Sequence, residues 1–108
     1  MQPTETDAEL IKRLNGETAK IDWHQLQKHY ASGNVLLINR DHDLIKVAMA
    51  MHRDDTAQIK QWLDKSALGE VSDSQAQSWY ANNSTVWALV IPPFVLVQEV
   101  GVVSQQSN

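Results

Sequence analysis

One stretch near the end of the chain limits the possible folds more than any other feature. It runs from Trp87 to Val97, is apolar on both alternating faces, and is interrupted only by Pro92 and Pro93. Exposing either face would forfeit the stabilisation that comes from removing apolar surface from water. The stretch therefore belongs at the centre of the fold or of an interface.

The size and composition of the chain predict one globular domain. The chain has 108 residues, of which 43% are hydrophobic and 20% are charged, and it has no cysteine. The lack of cysteine excludes a disulfide framework, thiolate metal sites and a cysteine nucleophile. We expect a single domain over residues 1–103 and a disordered polar tail over residues 104–108.

Charge and hydropathy along the chain argue against several partners. The N-terminus lacks the basic start and apolar run of a secretory signal. The longest apolar run has 12 residues, fewer than the ~20 that a membrane-spanning helix needs. Basic residues form no cluster of the kind that binds a phosphate backbone, and the net charge is −4. We predict a cytoplasmic protein that binds neither membranes nor nucleic acid.

Capping residues predict where four helices begin. Ser, Thr and Asp accept hydrogen bonds from the first backbone N–H groups of a helix, and a Glu or Gln three residues later completes a capping box. The four predicted starts are Thr6-x-x-Glu9, Asp22, Asp54 or Asp55, and Ser72-x-x-Gln75.

Helical spacing predicts the inner face and the end of each helix. The stripe of the first helix continues to Ile21, the second helix ends at Gly33, the third at Gly69, and the fourth at Asn82-Asn83. In chain order, the predicted inner faces are Leu10, Ile11 and Leu14; Trp23, Leu26 and Tyr30; Ile59, Trp62 and Leu63; and Ala76, Trp79 and Tyr80.

The predicted strands are Val35–Ile38, Leu44–Met51, Thr85–Ile91 and Phe94–Val100. The residues of Leu44–Met51 alternate between two faces, which favours a hairpin with the preceding strand, although Ala, Met, Leu and Lys also favour a helix. The order is then ααββααββ. It predicts an α+β domain with a largely antiparallel sheet of about four strands and helices packed against it.

Several segments have a specific spacing over nearly the whole chain. They are Leu14-Asn15-Gly16-Glu17-Thr18-Ala19-Lys20-Ile21-x-Trp23, Asp43-Leu44-Ile45-x-Val47-Ala48, Asp54-Asp55 ahead of Ile59 and Trp62, Ser72-Asp73-x-Gln75-Ala76, and Trp87-Ala88-x-Val90-x-x-Pro93-x-Val95-Leu96-Val97-Gln98. From Leu10 to Gln98 the chain resembles the bacterial family of domain of unknown function 2288, with Phe94 where the family pattern has a tryptophan. The resemblance implies a small bacterial single-domain protein, and it implies no activity, ligand or site.

Residues that could carry chemistry are few. His24 and His29 are five residues apart, which turns them ~140° from each other around a helix, so they cannot share a metal ion as an i, i+4 pair would. The chain has neither a nucleophile-elbow motif nor a glycine-rich phosphate loop. We predict no catalytic residue, no metal ligand and no cofactor.

Lys46, Asp54 and Asp55 form the candidate ligand site. Lys46 interrupts an apolar segment, either as a buried lysine with a lowered pKa or as a charge on an edge strand that discourages mispairing. Asp54 and Asp55 could hold a cation or share a proton, while helix capping alone also accounts for an aspartate at this place.

The candidate interaction residues lie on the last strand. They are Phe94, Val95, Leu96, Val97 and Gln98. Because this strand has two apolar faces, we expect helices to cover it and a second copy of the chain to contact it. The main hypothesis is a non-enzymatic binding or interaction module whose partner is itself, as a homodimer, or another protein. The alternative is a small metabolite- or metal-responsive sensor or enzyme with an acidic site around Asp54 and Asp55.

Overall fold

The chain folds into a five-stranded sheet with helices on both faces. The computed structural model describes residues 6–100, so the predicted tail at residues 104–108 lies outside the described residues. The elements are α1 (Asp7–Glu17), β1 (Ala19–Asp22), a 3₁₀ helix (Trp23–Leu26), α2 (Gln27–Ala31), β2 (Val35–Ile38), α3 (Leu44–His52), α4 (Thr56–Asp64), β3 (Leu68–Glu70), α5 (Asp73–Ala81), β4 (Thr85–Ile91) and β5 (Phe94–Glu99). The α+β class is confirmed, whereas the predicted strand number and element order are wrong.

The central strand of the sheet is β5. The strand order is β1-β4-β5-β2-β3, in which β2 and β5 are parallel and the other neighbours are antiparallel. Pro92 and Pro93 connect β4 to β5, as the strand-breaking chemistry of proline predicts. A central strand has neighbours on both sides and helices on both faces, which explains why its sequence is apolar from Phe94 to Val97.

Each face of the sheet has its own hydrophobic cluster. Trp23, Leu26, Ala76 and Trp79 pack on one face, from the 3₁₀ helix and α5. The cluster on the other face includes residues of α1, α3 and α4: Leu10, Leu14, Leu44, Val47, Ala48, Ile59 and Trp62. The helices of one chain therefore cover both faces of β5.

The segment Leu44–His52 is a helix, so the prediction of a strand and hairpin there is wrong. Asp43 caps the helix, because its side chain accepts a hydrogen bond from the N–H of Ile45. Leu44, Val47 and Ala48 are buried at helical spacing. Nearly every residue of the segment is apolar, so the period of two did not distinguish a strand from a helix.

Two short edge strands were missed. The apolar stripe predicted for α1 does not continue to Ile21. The backbone of Thr18 is already extended at the end of the helix, and Ile21 pairs with Val86 in the sheet. Gly69 does not end a helix but pairs with Leu37, again in the sheet. The preceding helix ends earlier, and Ser66 takes the left-handed backbone conformation with φ of 61°. Strands of three or four residues with exposed polar positions give little periodic signal.

Capping was predicted better than the inner faces of the helices. Thr6 and Glu9 form the capping box of α1, and Ser72 accepts from the N–H of Gln75 at the start of α5. Asp22, in contrast, makes no side-chain cap bond. Two residues predicted to lie inward, Leu63 and Tyr80, are 47% and 52% exposed. No helix within residues 6–100 is long and apolar enough to cross a membrane.

Candidate functional site

A broad groove lies over the outer face of α3, between α1 and α4. We call it the α3 groove. Its volume is about 790 Å³, compared with about 460 Å³ for a pocket beside β3 and about 300 Å³ for one between α2 and α5. Sites for small molecules have volumes of roughly 300–1,000 Å³, so the α3 groove has the size of a metabolite site.

Each of the three helices turns one face toward the groove. Residues four apart lie on the same face of a helix, and the lining contains at least one such pair from each helix. The pairs are Ile11 and Asn15 of α1, Ile45 and Met49 as well as Lys46 and Ala50 of α3, and Gln58 and Trp62 of α4. The groove is therefore formed mainly by the way α1 and α4 pack against α3, with residues at both ends of α3 completing its rim.

The apolar part of the groove wall is held by the core. Ile11 is 39% exposed, while Ile45, Met49 and Trp62 are half-buried and pack against the inner cluster. Val47, which also lines the groove, is buried. Because the buried parts of these side chains are fixed by close packing, the groove is preformed.

Two predicted ligand-site residues lie in this groove. Lys46 is exposed on α3, so it is neither a buried lysine nor a residue of an edge strand. Asp55 also lines the groove and caps α4 by accepting from the N–H of Gln58 at 3.2 Å. Asp54 is not part of the lining; it connects α3 to α4 with φ of 59°.

The predicted interaction residues are mostly internal. Val95, Leu96 and Val97 are at most 2% exposed, so their side chains face the protein's own helices. Phe94 is half-buried where β5 begins. The Nε2 of Gln98 donates to the backbone oxygens of Asn39 and His42, which holds the loop between β2 and α3.

A second polar and aromatic pocket lies between α2 and α5. Its lining includes Tyr30, Asp73 and Tyr80. The hydroxyl of Tyr30 donates to Oδ1 of Asp73 at 2.7 Å. This hydrogen bond raises the pKa of Tyr30, and burial and the charges of Asp73 and Glu70 raise it further. Within residues 6–100, no group of three or more His, Asp or Glu side chains is arranged to hold a metal ion.

Comparison with known proteins identifies the family. The family described as protein of unknown function (DUF2288) matches residues 9–99. The chain belongs to this family. The DUF2288 chain is also similar to the NMR solution structure of PA1075 from Pseudomonas aeruginosa, with 33% sequence identity, a TM-score of 0.76 and 99% of each chain covered. No curated protein matches the sequence. The resemblance seen in the sequence is therefore confirmed.

Sequence reasoning missed that Ile11 and Trp62 line the α3 groove. Both were predicted to lie on the inner faces of their helices; Trp62 does pack against the core while also facing the groove, whereas Ile11 is 39% exposed. Arg53 also lines the groove, and no sequence pattern singled it out. The signal for Ile11 in the sequence was the width of the apolar stripe on α1. Ile11 lies beside the buried Leu10 and makes the stripe wider than the part of the helix that the core buries.

Proposed function

We propose that this DUF2288 protein is a non-enzymatic binding module that holds a small molecule with an apolar body in the α3 groove. The observation that carries the proposal is the groove itself, a preformed space of about 790 Å³ walled by Ile11, Met49 and Trp62. Small-molecule sites combine apolar walls with polar groups that fix orientation, and the lining of this groove has both.

The exposed apolar surface of the groove supplies the driving force for binding. A bound apolar body would remove the exposed parts of Ile11, Ile45, Met49 and Trp62 from water. Burial of apolar surface contributes about 25 cal/mol per Å² before the cost of association is subtracted. The main attraction is therefore hydrophobic, and the polar groups at the rim set orientation.

The polar groups of the groove support binding rather than catalysis. Asp43 and Asp55 each accept a backbone N–H as helix caps, and Arg53 forms an ion pair with Asp7. A nucleophile with an adjacent base is the usual signature of covalent catalysis. The lining has no Ser, Thr, Tyr or Cys, and the side chains of Lys46 and His42 make no hydrogen bond to a base within residues 6–100. We expect the module to act in the cytoplasm, as the sequence predicts.

Titration with the fluorescent dye ANS, a sulfonate with an apolar aromatic body, tests the proposal. Ile11→Asp replaces an apolar wall of the groove with a charged group. We expect it to weaken dye binding about tenfold, because the apolar contact of Ile11 with the dye is lost and the carboxylate is costly to bury. Leu63→Asp is the matched control, because Leu63 is exposed on α4 but lies outside the groove. We expect its affinity for the dye to equal that of the unmodified protein. Equal affinity of all three proteins, or no binding, would contradict the proposal.

Self-association is a second candidate function, and Val90 is the observation that favours it. β1 pairs with β4 only from Thr85 to Ala88, and Val90, beyond this paired part, is 54% exposed. The predicted homodimer would then use the β4–β5 hairpin tip, where Phe94 is half-buried. If so, Val90→Asp will reduce a dimer mass in sedimentation analysis to that of a monomer. A monomer mass for the unmodified protein would exclude this candidate.

A further inference from the structure

We infer that the ligand of the α3 groove is an amphipathic anion whose negative group pairs with Lys46 and whose apolar body lies against Met49 and Trp62. The inference rests on the proposed function, because it assigns ligand chemistry to the same groove. The inference depends on which of the formally charged side chains in the lining already have a hydrogen-bond or ion-pair partner in the fold.

The two acidic side chains of the lining are already compensated. Oδ1 of Asp43 accepts from the N–H of Ile45 at 2.9 Å, and Oδ1 of Asp55 accepts from the N–H of Gln58 at 3.2 Å. Each carboxylate lies at the N-terminus of a nine-residue helix. Such a terminus carries a partial positive charge of about half a unit, so neither aspartate needs a ligand cation.

The two basic side chains of the lining differ in their partners. The guanidinium of Arg53 pairs with the carboxylate of Asp7, at the first turn of α1. The side chain of Lys46 has no hydrogen bond or ion pair with any residue between 6 and 100. The ammonium group of Lys46 is therefore the one charge of the lining that the described fold leaves without a counter-charge.

The position of Lys46 on α3 sets the shape of the ligand. Met49 and Ala50 follow it by three and four residues and line the same groove, so an apolar surface begins one helical turn from the ammonium group. Trp62 adds an aromatic wall from α4. A molecule with one carboxylate and an aliphatic or aromatic body matches both features, whereas a neutral apolar molecule would form no ion pair with Lys46.

Three probes with the same alkyl chain and different head groups test the inference. Octanoate, octanol and octylammonium are titrated into the ¹⁵N-labelled protein, and affinities are taken from the amide shifts of the residues lining the groove. We expect octanoate to bind about two- to fivefold more tightly than octanol, the range expected of an exposed ion pair. The preference for octanoate should fall as salt is added.

Two lysine variants make the assignment specific. Lys46→Gln should bring the affinity for octanoate to that for octanol, while Lys60→Gln, an exposed lysine of α4 outside the groove, should keep the preference. Equal binding of octanoate and octanol by the unmodified protein, or tighter binding of octylammonium, would overturn the inference and leave the proposed function standing. If none of the three probes nor ANS shifts the groove amides, the proposed function itself fails.

Discussion

Gln98 shows how one side chain holds an edge of the groove. Its Nε2 donates to the backbone oxygen of Asn39 at 3.0 Å and to that of His42 at 2.6 Å, and His42 lines the groove. Gln98→Leu should lower the free energy of unfolding by about 1–3 kcal/mol, because two hydrogen bonds are lost. Urea unfolding measures this change. Gln77→Leu is the control, because Gln77 is exposed and its side chain makes no hydrogen bond inside residues 6–100, and an equal loss in both variants would contradict the assigned role.

Asp54 and Asp55 are adjacent, but the structure predicts opposite effects of replacing them. Asp54 holds φ of 59°, a conformation that glycine adopts without strain, so Asp54→Gly should raise the free energy of unfolding by up to about 1 kcal/mol. Asp55 caps α4, so Asp55→Ala should lower it by about 0.5–2 kcal/mol. Thermal or urea unfolding decides the two signs. A loss for both variants would show that Asp54 has a stabilising role beyond its backbone conformation.

The raised pKa of Tyr30 predicts how stability depends on pH. Because the hydrogen bond to Asp73 raises the pKa of Tyr30 in the fold, the folded state favours the neutral phenol. Its contribution is complete below the unfolded pKa, near 10, and is lost as the pH rises through the folded pKa. Unfolding midpoints measured from about pH 8 to 11 should therefore fall less steeply for Tyr30→Phe than for the unmodified protein. Identical pH profiles would contradict this role.

At the scale of elements, β5 and β1 differ because one is central and the other lies at an edge. Leu96 is fully buried on β5, whereas Ile21 is half-buried on β1. Leu96→Ala should cost about 2–5 kcal/mol, and Ile21→Ala a smaller amount, about 1–2 kcal/mol. Urea unfolding compares the two variants. A larger loss for Ile21→Ala would contradict the strand order.

The sequence predicted elements well where caps and apolar patterns agreed. For α1 and α5, capping residues and an apolar face pointed to the same segment, and both helices begin where predicted. For α3, the apolar residues fit the period of two of a strand as well as the period of a helix. Only the cap at Asp43 distinguishes the helix from the strand. The edge strands β1 and β3 have three or four residues and depend on their partners in the sheet, which no local pattern specifies.

At the scale of the whole molecule, the groove depends on segments far apart in the chain. Ile11, Lys46 and Trp62 come from three helices that meet only after folding. Periodicity assigns each residue to a face of its helix, but it does not say which faces meet the core and which line a space between helices. Lys46 and Asp55 were therefore found as candidates from their local sequence context, while the apolar walls of their groove required the structure.

The central claim is that the α3 groove binds an apolar ligand body, and intermolecular NOEs test it most directly. We would record them between the chain protons of octanoate and the side chains of the protein at saturating ligand. The account predicts NOEs to Ile11, Met49 and Trp62, which line the groove from three helices. NOEs confined to Leu63, Tyr80 or Val90, which are large exposed apolar side chains outside the groove among residues 6–100, would contradict it.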